Sequence, residues 1–140
     1  MSSLLLEDKY KVDQNDFVSA GEASASIKRT LKKIGINPAV IRKVSIATYE
    51  AEINIIIHSY GGYIYLTVTD EDITVICKDT GPGINDVDMA MQEGYSTASE
   101  EVRNMGFGAG MGLPNMNKNA SDFRVESSPE GTTITMKFSI

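Results

Sequence analysis

Hydrophobic and polar residues alternate along two pairs of neighbouring segments, and this period of two is typical of β-strands. In the first pair, acidic residues at 70–72 separate the segments, which predicts a β-hairpin made of Tyr63 to Thr69 and Ile73 to Lys78. The second pair surrounds Pro129, Glu130 and Gly131 and predicts a hairpin made of Phe123 to Ser127 and Thr132 to Ile140.

A period near 3.6 residues follows a first short strand that ends near Val12. It predicts a helix that begins at Asn15 or Asp16 and is ended by Gly35. The buried face of this helix is predicted to consist of Phe17, Ala20, Ala23, Ile27, Leu31 and Ile34.

Three further helices are predicted. The longest begins at Pro38, which suits a first helical turn, and continues to about Tyr60 before two glycines. A short helix is predicted near Asp86 to Gln92, and another from Gly110 to Ala120. The strands and helices together predict an α+β fold, a two-layer sandwich whose mixed, mostly antiparallel sheet carries helices on one face. We expect residues 1–140 to form one domain.

Composition narrows the classes of function. The formal net charge is −6, and the basic residues Lys28, Arg29, Lys32 and Lys33 are expected on an exposed helix face, so we expect no nucleic-acid partner. No apolar run approaches the length of a membrane span, and no secretory signal is visible, so we expect no membrane association. The single cysteine, Cys77, excludes an internal disulfide and indicates a reducing, cytoplasmic location.

Glu50, Asn54 and His58 occur at a spacing of four within the long predicted helix, so they lie on neighbouring turns of one face. An Asn oxygen can ligate a hard cation such as Mg²⁺, and a carboxylate one turn earlier can accept a proton from a nucleophile near that metal. The alternative is a partly exposed polar stripe without chemistry.

Two glycine-containing segments complete the set of candidate elements. Asp79 to Ile84, with the sequence DTGPGI, directly follows a predicted strand; it is either a simple turn or a turn whose aspartate accepts a hydrogen bond from an exocyclic amine such as that of adenine. Gly106 to Pro114, with the sequence GFGAGMGLP, leads into a helix. Its backbone N–H groups can face an anion, and the alternative is a flexible hinge.

The order and spacing of these elements resemble the GHKL ATPase superfamily, which has the Bergerat ATP-binding fold. Residues 50–58, EAEINIIIH, are similar to its N box, DTGPGI to its G1 box and 106–116, GFGAGMGLPNM, to its G2 box. Gly131-Thr132-Thr133 resembles the closing Gly-Thr of that fold. Within the superfamily, the chain most resembles the small anti-sigma-factor type of serine/threonine protein kinase, and in particular the stressosome switch kinase branch.

The resemblance implies a role for each matching residue. Glu50 is the implied general base, Asn54 the implied Mg²⁺ ligand, and Asp79 the implied reader of the adenine amine, helped by Thr132 through water. Gly81, Gly83 and Ile84 belong to the turn that packs against adenine. The implied phosphate-binding lid consists of Gly108, Ala109, Gly110, Met111 and Gly112. His58 is implied to have a structural role and not to accept a phosphoryl group.

The resemblance therefore implies a serine/threonine protein kinase that uses ATP and Mg²⁺ to phosphorylate a STAS-domain partner in a partner-switching system. A sigma factor, a phosphatase and a second copy of the chain are further partners that it leaves open. The alternative function is a non-catalytic ATP-binding module that sequesters a sigma factor or another regulator.

Overall fold

The computed structural model describes residues 3–84, 87, 91 and 112–140. Within these ranges the chain forms five strands and three helices. The strands are β1 (Leu4–Val12), β2 (Gly62–Thr69), β3 (Asp72–Asp79), β4 (Asp122–Ser128) and β5 (Gly131–Ser139). The helices are α1 (Glu22–Lys33), α2 (Pro38–His58) and α3 (Gly112–Asn119).

The five strands form one sheet in the order β1-β2-β3-β5-β4, and each neighbouring pair is antiparallel. Both predicted hairpins are confirmed, since β2 pairs with β3 and β4 pairs with β5. The crossover places β5 beside β3, so that Cys77 of β3 lies opposite Ile134 of β5. This pairing brings the end of β3 close to the start of β5.

One face of the sheet carries the helices, and the core lies between the two layers. Alternate strand residues are buried there, among them Leu66, Val75 and Met136. Helix α2 occupies the centre of the helical layer, because it packs against α1, α3 and the middle of the sheet. The predicted α+β class and two-layer architecture are confirmed.

The start of the first helix differs from the prediction. Helix α1 begins at Glu22, six or more residues after the predicted cap, and Gly21 before it has a φ of 94° in the left-handed region. Phe17 and Ala20 still pack against the core, although they lie outside the helix. The apolar spacing therefore predicted burial correctly except at Ile34, which follows the last turn of α1 and is 41% exposed. Burial of Phe17 and Ala20 in a loop does not require helical backbone.

The other helix boundaries agree with the predictions to within two residues. Helix α2 ends at His58 and α3 spans Gly112–Asn119. The short helix predicted near 86–92 lies mostly outside the described residues, although the Met91 N–H donates to the Val87 carbonyl at 3.0 Å, as in a helical turn. In the ranges described, none of the helices combines the length and the apolar character that crossing a bilayer requires.

Candidate functional site

Glu50 and Asn54 project from the same side of α2, one turn apart. Helix α2 begins at Pro38, which suits the first turn. Asn37 caps the helix by accepting a hydrogen bond from the Ala39 N–H at 2.8 Å. Both side chains are half-buried, and Ala51 and Ile53 beside them are buried. They lie at a half-buried margin of the core, a position that both a chemical role and a partly exposed polar stripe allow.

The N-terminus of α3 lies directly against these two side chains. A Cβ atom added to Gly112 would lie 3.3 Å from Asn54 Oδ1 and 3.6 Å from Glu50 Oε2. Any larger residue at this position would crowd the space between the helix terminus and the two polar groups. One turn further along α3, the Asn115 amide donates to Glu50 Oε1 at 3.4 Å, which is a long hydrogen bond.

Asn54 has the properties of an available cation ligand. Among the described residues its side-chain amide makes no hydrogen bond, although it is half-buried. The described residues contain no group of three or more His, Cys, Asp or Glu side chains that could hold a metal ion. The donor set therefore fits a Mg²⁺ ion that is held mainly by ligand oxygens and by a single protein amide.

Asp79, at the end of β3, is held by a chain of short hydrogen bonds. Its Oδ1 accepts the Thr132 N–H at 2.9 Å, and the Thr132 hydroxyl lies 2.9 Å from the Ser127 hydroxyl. The Ser127 hydroxyl also accepts the Ile84 N–H at 2.7 Å. These hydrogen bonds join the end of β3, the turn that follows it and the β4–β5 hairpin into one unit. Asp79 lies at the edge of that unit.

The turn from Asp79 to Ile84 lies against the β4–β5 hairpin. The Gly81 N–H donates to the Glu130 carbonyl at 2.7 Å. Gly83 has a φ of 85°, and a Cβ at this residue would overlap the Ser128 carbonyl. Glycine is therefore required at 83 both by the backbone conformation and by the close approach of the neighbouring strand.

Burial shifts the pKa values of three ionisable groups near the end of β3 and the end of α2. Burial raises the pKa of Asp79 above 3.8, and the Thr132 N–H partly opposes the rise because it stabilises the charged form. Burial lowers the pKa of His58, which favours the neutral imidazole and agrees with a structural role. Burial also raises the pKa of the Cys77 thiol, and so do the nearby charges of Asp79 and Glu52.

The helix that carries Glu50 and Asn54 is joined at its end to the turn that follows Asp79. The Tyr60 N–H, just after α2, donates to the Thr80 carbonyl at 3.1 Å, and the Thr80 N–H donates to the Gly61 carbonyl at 3.1 Å. The end of α2 is thus fastened to the turn that follows Asp79. Of the predicted site residues, Gly108, Ala109, Gly110 and Met111 lie outside the described residues. The others form two groups: Glu50 and Asn54 lie beside Gly112, and the group at the end of β3 consists of Asp79, Gly81, Gly83, Ile84 and Thr132.

Glu52 is a buried polar residue of α2 that the sequence analysis missed. It lies between Glu50 and Asn54 in α2, but its side chain is only 2% exposed and accepts hydrogen bonds from the start of α1. Its partners are 28 to 31 residues away in the sequence. The available signal was a carboxylate in an otherwise apolar stretch of helix, which requires a buried donor.

Comparison with known proteins identifies the family of this chain. Residues 14–138 match the family described as "Histidine kinase-like ATPase domain". The chain belongs to this ATPase family. Its curated relatives include the anti-sigma F factors of Caldanaerobacter subterraneus (37% identical; 69% of this chain and 68% of the relative) and Clostridium novyi (38%; 69% and 69%). The anti-sigma F factor of Bacillus subtilis is 35% identical, with 69% and 67% covered.

A solved structure has the same fold. The RsbU and RsbW domains of a Mycobacterium tuberculosis protein match with a TM-score of 0.67 and 18% identity. The match covers 97% of this chain and 33% of that one, so this chain spans about a third of its length. The resemblance to the anti-sigma-factor type of GHKL ATPase is confirmed, whereas the stressosome switch kinase branch stays a prediction. Membership in an ATPase domain family implies that the chain binds ATP.

Proposed function

We propose that this chain is a cytoplasmic serine/threonine protein kinase of the anti-sigma-factor type, which transfers the γ-phosphoryl group of ATP to a STAS-domain partner. The observation that carries the proposal is the position of a carboxylate and a free amide, Glu50 and Asn54, against the glycine at the N-terminus of α3. A nucleotide-binding module that only clamps its ligand has no need of a carboxylate at this point.

Asp79 and Thr132 form the adenine end in this proposal. The Asp79 carboxylate has one oxygen engaged by the Thr132 N–H, which leaves the other oxygen to accept a hydrogen bond from the exocyclic amine of adenine. The Thr132 side chain is 5% exposed, and its hydroxyl is positioned by Ser127. Recognition of the base therefore uses groups that are already oriented by the sheet.

Asn54 and the N-terminus of α3 form the phosphate end. Backbone N–H groups at a helix N-terminus favour an anion, and the Gly112 backbone can approach the phosphates closely because it has no side chain. Asn54 Oδ1 would ligate Mg²⁺, which neutralises phosphate charge when bound. Gly108 to Met111, which precede α3 in the sequence, would contribute further N–H groups as a lid.

Glu50 is the proposed base for the transfer step. The hydroxyl oxygen of a partner's Ser or Thr forms a bond to the γ-phosphorus while the bond from that phosphorus to the β–γ bridging oxygen breaks, and ADP leaves. The hydroxyl proton passes to Glu50. Phosphoryl transfer depends mainly on positioning and charge stabilisation, so a single carboxylate beside the metal ligand is sufficient side-chain chemistry.

The names of the relatives support the choice of partner. Several curated relatives are anti-sigma F factors, and the solved neighbour contains an RsbW domain. We propose by analogy that this chain also binds a sigma factor and a STAS-domain anti-anti-sigma protein. The net charge of −6 supports a protein partner over a nucleic acid.

The test is a transfer assay with γ-labelled ATP, Mg²⁺, this chain and STAS-domain proteins from the same genome. We expect label on a STAS protein, in an acid-stable and alkali-labile form, because phosphoserine and phosphothreonine have that stability and phosphohistidine does not. Glu50→Gln should bind ATP and transfer label at least about 100-fold more slowly. ATP binding without transfer to any STAS protein, with the same behaviour in Glu50→Gln, would instead establish the non-catalytic alternative.

A further inference from the structure

The carboxylate of Glu52 is buried and fully engaged by the start of α1. Its Oε2 accepts the N–H groups of Gly21 at 2.9 Å and Ala23 at 3.3 Å. Its Oε1 accepts the Ser24 N–H and the Ser24 hydroxyl, both at 3.0 Å. A buried carboxylate with four donors forms a strong and directional connection between two elements.

Helix α1 depends on this connection because it lacks a cap of its own. The residue at its N-cap position is Gly21, and no side chain of the α1 segment caps the helix. The first N–H groups of a helix have no partner within it and favour a negative charge. Glu52 supplies both the acceptor and the charge from α2, and Tyr49 of α2 also lies against Gly21, with its ring 3.3 Å from the position of a Cβ.

Glu52 lies on the opposite side of α2 from the candidate catalytic side chains. It is two residues from Glu50 and two from Asn54, and in a helix of 3.6 residues per turn a separation of two residues is a rotation of about 200°. One turn of α2 therefore carries Glu50 and Asn54 towards α3 on one side, and Glu52 towards α1 on the opposite side.

The contacts on the two sides of this turn differ in strength. On the side of α3, Gly112 offers no side chain, and the bond from Asn115 to Glu50 is 3.4 Å long. On the side of α1, four hydrogen bonds of 2.9–3.3 Å reach a single carboxylate. Directional hydrogen bonds therefore restrain this turn of α2 more strongly on the side of α1 than on the side of α3.

We propose that Glu52 is a positioning residue, which holds the rotation of α2 so that Glu50 and Asn54 face the N-terminus of α3. The inference rests on the proposed function for the roles of Glu50 and Asn54. A positioning role differs from a purely stabilising one. It predicts that a chain without the Glu52 carboxylate still folds but no longer holds Asn54 in place.

The test compares the parent chain with Glu52→Gln, in which an amide of the same size places an NH₂ group against backbone N–H donors. Two quantities are measured at a temperature where circular dichroism shows each variant fully folded. One is the ratio of the Kd for ATP in EDTA to the Kd in Mg²⁺, by calorimetry. The other is the kcat and KM of phosphotransfer.

For Glu52→Gln we expect an unchanged Kd in EDTA, because the adenine end is held by the sheet and not by α1. We expect the Mg²⁺-dependent gain in affinity to be lost and kcat to fall by up to about 100-fold, since small misplacements of reacting groups have effects of that order. Phe138→Leu is the stability control: Phe138 is buried opposite Ile73, at the end of β3 remote from Asp79, and its replacement should change neither quantity.

Each outcome decides the inference. A folded Glu52→Gln chain that keeps both the Mg²⁺ ratio and kcat overturns it, as does a parent chain that gains no affinity from Mg²⁺. A lower ratio of the two Kd values in Glu52→Gln but not in Phe138→Leu supports the inference. This holds even if the parent transfers no phosphate and the kinase proposal fails. If Glu52→Gln does not fold, Ser24→Ala, which removes one of the four bonds, should lower the ratio partially, and an unchanged ratio there overturns the inference.

Discussion

The two ends of the candidate site are built in opposite ways. At the adenine end, hydrogen bonds of 2.7–2.9 Å join Asp79, Thr132, Ser127 and Ile84, so the polar groups are connected before any ligand arrives. At the phosphate end, the Asn54 amide makes no hydrogen bond within the described part of the chain, and Glu50 receives only the 3.4 Å contact from Asn115.

In the proposed function, this difference separates the residues that recognise adenine from those that take part in phosphoryl transfer. A connected network fixes the orientation of Asp79, so little conformational freedom is lost when a base binds. Groups that must ligate a metal or take a proton have to remain available, and their positions must then be held through the backbone that carries them. Helix α2 is that backbone, and Glu52 secures it from the other side.

The largest effect is expected from removing the base at the available end. Glu50→Gln should lower the phosphotransfer rate by about 10²–10⁴-fold, the contribution typical of general acid–base catalysis, with nearly unchanged ATP affinity. Single-turnover transfer and calorimetry measure the two quantities. An unchanged transfer rate would remove Glu50 from the role of base.

Asn54→Ala tests the metal ligand at the same end. We expect the Mg²⁺-dependent part of the ATP affinity to fall by at least about 10–100-fold, the range seen even when residues behind a metal ligand are changed. Affinity in EDTA should be unchanged, because the adenine end does not contact this amide. Equal Mg²⁺ dependence in the variant and the parent would contradict the assignment of Asn54 as the ligand.

The sequence predicted the two ends unequally. Strand alternation was sufficient to predict both hairpins, and the spacing of four was sufficient to place Glu50 and Asn54 on one side of a helix. The contact of Asp79 with Thr132 joins residues 53 positions apart, and local patterns do not report such pairings. The family resemblance was needed to connect them.

The error at the start of α1 has the same cause. Helix-start rules look for a capping side chain immediately before the helix, whereas α1 is capped by Glu52 from another helix. A polar residue such as Asn15 or Asp16 was therefore taken as the cap. Because the true cap lies 28 or more residues away, no local rule could have identified it.

Asp79→Asn breaks the connected end. The Asn side chain can keep the bond from the Thr132 N–H but loses the charge that receives the adenine amine, so we expect ATP binding to weaken by about 1.5–3 kcal/mol. Calorimetry with ATP measures the loss. Equal affinity in the variant and the parent would contradict the adenine assignment.

The pH dependence of ATP binding and of stability is a second test of the role of Asp79. Because burial raises the pKa of Asp79 above 3.8, the folded state binds its proton more tightly than the unfolded state does. This carboxyl therefore stabilises the fold most at low pH, and its contribution is lost as pH rises from near 3.8 through the raised pKa. Two results follow: ATP affinity should fall as the carboxylate protonates, and ligand-free Asp79→Asn should unfold at a higher temperature than the parent at neutral pH.

Thr132→Val should have the smallest effect. It removes one hydrogen bond at the adenine end and keeps the shape of the side chain. The backbone N–H that binds Asp79 remains, while the hydroxyl bonded to Ser127 is lost. We expect the free energy of unfolding to fall by about 0.5–1.5 kcal/mol, typical of one hydrogen bond, and ATP affinity to fall less than in Asp79→Asn. Denaturant unfolding and calorimetry measure both. A loss of affinity larger than that of Asp79→Asn would mean that the Thr132 hydroxyl, and not the carboxylate, is the main contact with the base.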